Sequence, residues 1–232
     1  MKTILKKIIP SPLLKILSII INYYKADPKV HLKDVFGFDI YQNSNDILNY
    51  EKYVGREINE NLNDVDGRIF ITMEKYISSG SVAIDVGANI GLMSLVMSKL
   101  VGKTGNVLSF EPGPVSYGLL RRNIYSNVLN GNVDINDVAL SDSAGDFNLF
   151  INPNGESDNQ LHKSFDTYKF REEVERSKFI VKTCKLDDYL SDNHVQHENV
   201  SFIKIDTQGH DLAVLRGARS FLTSVRKIAV LI

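Results

Sequence analysis

Three carboxylates stand where short apolar runs end: Asp85 in Ala83-Ile84-Asp85-Val86-Gly87-Ala88-Asn89-Ile90-Gly91, Glu111 in Phe110-Glu111-Pro112, and Asp206 in Phe202-Ile203-Lys204-Ile205-Asp206. His210 follows Asp206 by four residues, beyond Gly209. Glycines between a strand and a helix let the backbone turn sharply, let a ligand approach the main chain, and lead into a helix whose first N–H groups are unpaired. That arrangement is a nucleotide-type site. The spacing Asp85-x-Gly87-x-x-x-Gly91 differs from the Gly-x-Gly-x-x-Gly of dinucleotide folds, and a carboxylate before the first glycine repels a pyrophosphate while attracting an ammonium group. A cationic, phosphate-free cofactor is expected. Glu111, at the end of the next apolar run, can accept both hydroxyls of a ribose. Either acid alone would equally serve as a helix cap or a solvated loop charge, but two at successive strand ends are more specific.

The elements that must hold these residues are legible as an alternation. Apolar runs at residues 82–84, 107–110, 133–135, 202–205 and 228–232 read as strands, and residues 91–100 and 115–129 read as helices between the first three. A β-α-β-α-β order implies a parallel sheet covered by helices on both faces, with ligands binding beyond the strand ends. Residues 68–78 carry Ile69, Met73, Tyr76 and Ile77 at helical spacing, and Gly80 ends that helix. The stretch 59–67 reads as a solvated loop without calcium-ligand spacing. Residues 141–200 break the rhythm with two apolar runs around a polar excursion, which reads as a β-hairpin or flap. The expected organisation is a basic apolar helical segment over 1–33, an entry region over 34–80, and one domain over 81–232 carrying the flap.

Composition narrows the function. Lys and Arg number 27 against 28 Asp and Glu, so no global basic field draws the chain to nucleic acid. Residues 1–33 hold seven lysines and one aspartate around Leu13-Leu14-Lys15-Ile16-Leu17-Ser18-Ile19-Ile20-Ile21, a run too short to span a bilayer. A helix docked on the domain is expected there, with peripheral membrane contact as the other reading. The single cysteine, Cys184, reads as an inert packing thiol of a cytoplasmic protein. His31, His162, His194 and His197 show no metal-ligand framework, and Arg121-Arg122 reads as a solvated helix edge.

The blocks AIDVGANIGLMS, LSFEPGPVSYGLLRRNIYSN, INDVALSDSAGDFNLFI, KTCKLDDYL and FIKIDTQGHDLAVLRGA together resemble the FkbM family of S-adenosylmethionine-dependent methyltransferases, over about residues 80–232. The resemblance implies a Rossmann-like class I methyltransferase fold. It also implies methyl transfer from S-adenosyl-L-methionine, usually to a hydroxyl of a sugar, glycan or small hydroxylated natural product. By the same resemblance, Asp85, Gly87, Ala88, Asn89 and Gly91 surround the methionine end of the cofactor, Glu111 holds the ribose, and Asp137 and Ala139 lie near the adenine. A hydroxyl acceptor is helped by a base, for which Asp206 and His210 are the candidates; a carboxylate and an imidazole that close can also share a divalent metal. Lys204, inside an apolar strand, is expected to reach past the sheet end to an acid.

The resemblance also leads one to expect an acid and two further strands beyond Ile232, so the sheet reads as truncated after its fifth strand, with an apolar edge to be covered by a partner, a second copy or the N-terminal segment. An inactive methyltransferase-like module and an NAD(P)-dependent oxidoreductase are the competing readings. The second lacks its glycine spacing here, and the first need not bind S-adenosylmethionine at all.

Overall fold

The computed structural model describes residues 30–43, 54–56, 65–127, 131–151, 160–162 and 177–232. A hairpin of β1 (Val30–Val35) and β2 (Phe38–Gln42) precedes helix α1 (Val65–Tyr76). The core then follows as β3 (Val82–Val86), α2 (Leu92–Val101), β4 (Asn106–Phe110), α3 (Pro114–Asn127) and β5 (Val133–Asn136). A second group of strands comes next: β6 (Ala139–Leu140), β7 (Gly145–Ile151), β8 (Gln160–His162) and β9 (Ser177–Cys184). The chain closes with α4 (Leu186–Asp192), β10 (Val200–Ile205), α5 (Asp211–Gly217), α6 (Arg219–Ser224) and β11 (Ala229–Leu231).

The expected α/β architecture is present. A parallel sheet runs β11-β10-β3-β4-β5, and its central strands β10, β3 and β4 read as largely apolar runs because both their faces are covered. One face buries Ala83, Val107 and Phe202 against α1, α2 and α3, with Phe70, Leu95 and Leu120 among the fully buried contacts. The other buries Ile84, Leu108 and Ile203 against α4, α5 and α6. The order reverses at β3: the chain moves outward through β4 and β5, then returns to lay β10 on the other side of β3. Such a switch point opens a crevice beyond the strand ends.

Two boundaries differ from the sequence expectation. Residues 30–33 belong to a strand, not to the helical segment, and the hairpin places Val35, Phe36 and Ile40 in the main core. What docks it is a pair of asparagines one turn apart on α3. Asn123 Oδ1 accepts from Tyr41 N at 2.7 Å and its Nδ2 donates to Tyr41 O at 3.0 Å; Asn127 does the same for Asp39 at 2.8 and 2.7 Å. Four helical residues rise about 6 Å and two strand residues about 6.7 Å, so the two amides match alternate peptides of β2 and close its free edge. Arg121 and Arg122 lie on an exposed helix edge as expected, and Arg122 also stands over the Tyr41 ring at 4.3 Å.

The flap is more than a hairpin. Strands β6, β9, β7 and β8 form a four-stranded sheet with its own apolar face of Phe147, Leu149, Leu161 and Val181, and it ends at Cys184, so that residues 186–205 return to the main domain. Burial, reinforced by Asp188 and Asp192, pushes the Cys184 thiol up to about 11. Among the described residues no helix is long and apolar enough to cross a membrane. The helix expected over 1–33 falls largely on residues 1–29 and the loop expected over 59–67 on 59–64, stretches outside the described residues, whereas residues 65–67 open α1 instead of continuing that loop.

Candidate active site

The crevice is framed by the turns that follow β3, β4 and β10. Gly87 has φ +75°, and a Cβ built on it would stand 2.0 Å from the Asp206 carbonyl oxygen, so only glycine lets the two strand ends meet. Gly87 N and Ala88 N both donate to Phe110 O at 3.0 Å, which straps the glycine loop to the end of β4. Ala88 itself is packed into the core, and Gly91, at φ +94°, starts α2 against Leu120.

Asp85 does not line the crevice. It is fully buried under α2, with Oδ2 accepting from Ser94 Oγ at 2.6 Å and Oδ1 from Lys204 Nζ at 3.1 Å. Lys204 also donates to Gly87 O at 3.2 Å, and Ser109 Oγ donates to Ser94 Oγ at 2.9 Å. Lys204, Asp85 and Ser109 are in register across three neighbouring strands and point to the same face. Lys204 does reach an acid, though not past the sheet end as expected: the acid is Asp85, its register partner on β3. The result is a closed polar belt beneath the glycine loop.

Glu111 is only 7% exposed and does face the crevice. It accepts from Asn89 N at 2.9 Å and from Gly113 N at 2.7 Å, which fixes the carboxylate at the crevice. Asn89, at φ +51°, carries a buried Oδ1 with no hydrogen-bond partner, beside the same crevice. An orphaned buried acceptor is costly unless a ligand donor meets it. Opposite, His210 Nε2 lies 2.9 Å from Ser141 Oγ, and its ring meets Phe147 edge-on at 6.4 Å between centroids. Val138, Ala139 and Leu140, with Leu149 and Leu161 of the inserted sheet, give an apolar wall to a cleft that is partly open to solvent.

Of the residues singled out in the sequence, Gly87, Asn89, Glu111, Ala139, Asp206 and His210 come together around this cleft. Asp85, Ala88 and Gly91 support it from behind. Asp137 is exposed and outside the lining, near enough to Tyr117 to help burial raise that phenol's pKa. Among the described residues no cluster of three or more His, Cys, Asp or Glu is placed to hold a metal. Sequence reasoning missed Ser141, which is fully buried and 69 residues from His210, so nothing local marks it. It also missed Gln208, whose φ of +53° and place before Gly209 were the available signal; its Nε2 donates to Asp206 Oδ1 at 3.1 Å. The turn bearing both is pinned by Asp211, which accepts from Thr207 N at 2.9 Å and Thr207 Oγ1 at 2.7 Å. Burial pushes the Asp211 carboxyl up, but these bonds and further backbone N–H groups outweigh it and hold the pKa below the ordinary value.

A buried carboxylate, an orphaned amide oxygen, a backbone turn open to close approach, and acids without a lining Lys or Arg among the described residues fit a nucleoside carrying a cationic arm. Residues 85–232 match the Methyltransferase FkbM domain. Methyltransferase sdnD of Sordaria araneosa is 30% identical over 160 residues, covering 61% of this chain and 61% of that protein. Hexuronic acid methyltransferase AglP of Haloferax volcanii is 31% identical over 146 residues, covering 63% of this chain and 53% of that protein. The chain therefore spans between half and two thirds of the length of these relatives. The crystal structure of Methyltransferase FkbM from Methylobacillus flagellatus aligns with 65% of this chain and 32% of its own, at 15% identity and a TM-score of 0.43.

Proposed function

The chain belongs to the FkbM methyltransferase family, and from that premise we propose that it uses S-adenosylmethionine to methylate a hydroxyl of a sugar or another small hydroxylated acceptor. The observation that carries this reading is the convergence of Glu111 and His210 on one cleft with an apolar wall. The name of the Haloferax relative, a hexuronic acid methyltransferase, supports a sugar-derived acceptor.

When bound, S-adenosylmethionine supplies a methyl group already activated by its sulfonium. Glu111 holds the ribose hydroxyls, its orientation fixed by Asn89 N and Gly113 N. The Asn89 amide oxygen takes a donor from the ligand. Leu149 and Leu161 exclude water on the inserted-sheet side. His210, steadied by Ser141 and Phe147, would take the proton of the acceptor hydroxyl. Alignment supplies much of the remaining rate.

The first test is thermal denaturation with S-adenosylhomocysteine, with NAD as control. Ligand at 100 times its dissociation constant adds about 2.7 kcal/mol, a shift of about 5–11 °C in a chain of this size. No shift with S-adenosylhomocysteine, or an equal shift with NAD, sinks the reading. In an acceptor panel of neutral sugars and uronic acids, His210→Ala should lower turnover by about 10²–10⁴ while leaving the S-adenosylhomocysteine shift intact. Unchanged turnover would remove His210 as the base.

A further inference from the structure

The sequence offers one carboxylate to the cofactor's ammonium group, Asp85 in the glycine loop, and Asp206 at the end of β10 is a second carboxylate beside that loop. The structure separates them. Asp85 is fully buried, and its two oxygens are taken by Ser94 and Lys204. The Asp206 side chain is 57% exposed and lines the cleft. Its backbone N donates to Val86 O at 3.0 Å, and its carbonyl oxygen lies where a Gly87 Cβ would stand, so Asp206 adjoins the glycine loop directly.

We infer that Asp206 is the residue that binds the cofactor's ammonium group, and that Asp85 serves as the buried counter-ion of Lys204. The inference rests on the methyltransferase reading above. Charge supports it: Lys204 lies 3.1 Å from Asp85 and 4.0 Å from Asp206, so one cation faces two carboxylates and the more exposed one retains negative charge toward the cleft. No Lys or Arg lines the cleft among the described residues. Sheet order supports it too. The ends of β10 and β4 flank that of β3, two strand spacings or roughly 10 Å apart. A nucleoside whose ribose sits at Glu111 carries its amino-acid arm across the glycine loop to reach Asp206. Gln208 holds the carboxylate in place from a left-handed backbone conformation, a strain of the kind found at ligand clamps.

The test is binding, not turnover. Affinities of the full chain and its Asp206→Asn variant are measured by calorimetric competition for S-adenosylhomocysteine and for its deaminated analogue, in which hydrogen replaces the amino group. Asp206→Asn should bind S-adenosylhomocysteine about 10–100-fold more weakly, the scale of a lost hydrogen bond to a charged group, and should bind the deaminated analogue as the parent does. Asp206→Ala should show the same selectivity. An equal loss for both ligands, or no loss for S-adenosylhomocysteine, overturns the assignment. If the parent chain binds neither ligand, it is the methyltransferase reading that fails, and this assignment with it.

Discussion

Two polar regions lie on either side of the glycine loop, and they use the same chemistry to opposite ends. Beneath the loop, Asp85, Lys204, Ser94 and Ser109 satisfy one another in a belt closed to solvent. Above it, Glu111, Asn89, Asp206 and His210 border a cleft in which one buried acceptor still lacks a partner. A closed network has no capacity left for a ligand, whereas an incomplete one is stabilised by binding. The position of an acid in the sequence does not tell the two apart. What decides is which way its strand turns the side chain: Asp85 shares a face with Ala83, toward α2, while Glu111 and Asp206 fall in the turns after their strands.

The strongest way to break this contrast is to unpair the belt. Lys204→Met leaves the Asp85 carboxylate buried without its cation, and the expected loss is about 3–5 kcal/mol by urea denaturation. Adding Asp85→Asn should recover most of it, because the remaining charge goes too. Asp206→Asn, on the cleft side, should stay within about 0.5 kcal/mol of the parent. A loss below about 1 kcal/mol for Lys204→Met would mean that the belt is not closed.

A smaller effect is expected where the architecture reaches the loop from outside. Asn123 is fully buried, and its Nδ2 donates to Ile90 O at 2.7 Å as well as to Tyr41 O. Asn123→Ala orphans peptide groups of both the hairpin and the glycine loop, at about 1–3 kcal/mol. Hydrogen exchange should show the Tyr41 amide losing protection first; protection unchanged there would mean that the hairpin is held by Val35 and Ile40 alone.

The parallel sheet was legible because strands buried on both faces write themselves as apolar runs between helices, as in Val82-Ala83-Ile84 and Val107-Leu108. So was the cleft edge, since Gly87, Glu111 and His210 mark strand-to-helix turns. The hairpin was not, because the alternation around Leu32, Val35 and Ile40 is brief and the amides that dock it come from α3, more than 80 residues later. Nor was the partner of His210: a serine carries no local signal, and only the inserted sheet brings Ser141 to the imidazole. The role of Asp85 was hidden for a related reason, since its pairing with Lys204 spans 119 residues and depends on register across two strands.

The smallest expected effect tests the cleft side alone. Asp211 holds the Thr207 turn, and its pKa in the folded chain lies below its ordinary value of 3.8. A carboxyl whose folded pKa is depressed contributes stability that is present above the unfolded value and fades as pH falls through the folded one. Between about pH 5 and pH 3 the parent should therefore lose slightly more stability than Asp211→Asn, which lacks that titration and should already be modestly weaker at pH 7. The losing amides should be those of residues 207–211, read by hydrogen exchange at two pH values, while Leu95 and Ile84 in the core keep their protection. If the acid-sensitive amides lie instead in α2 above Asp85, the belt would be the labile region and the contrast between closed and open polar networks would be reversed.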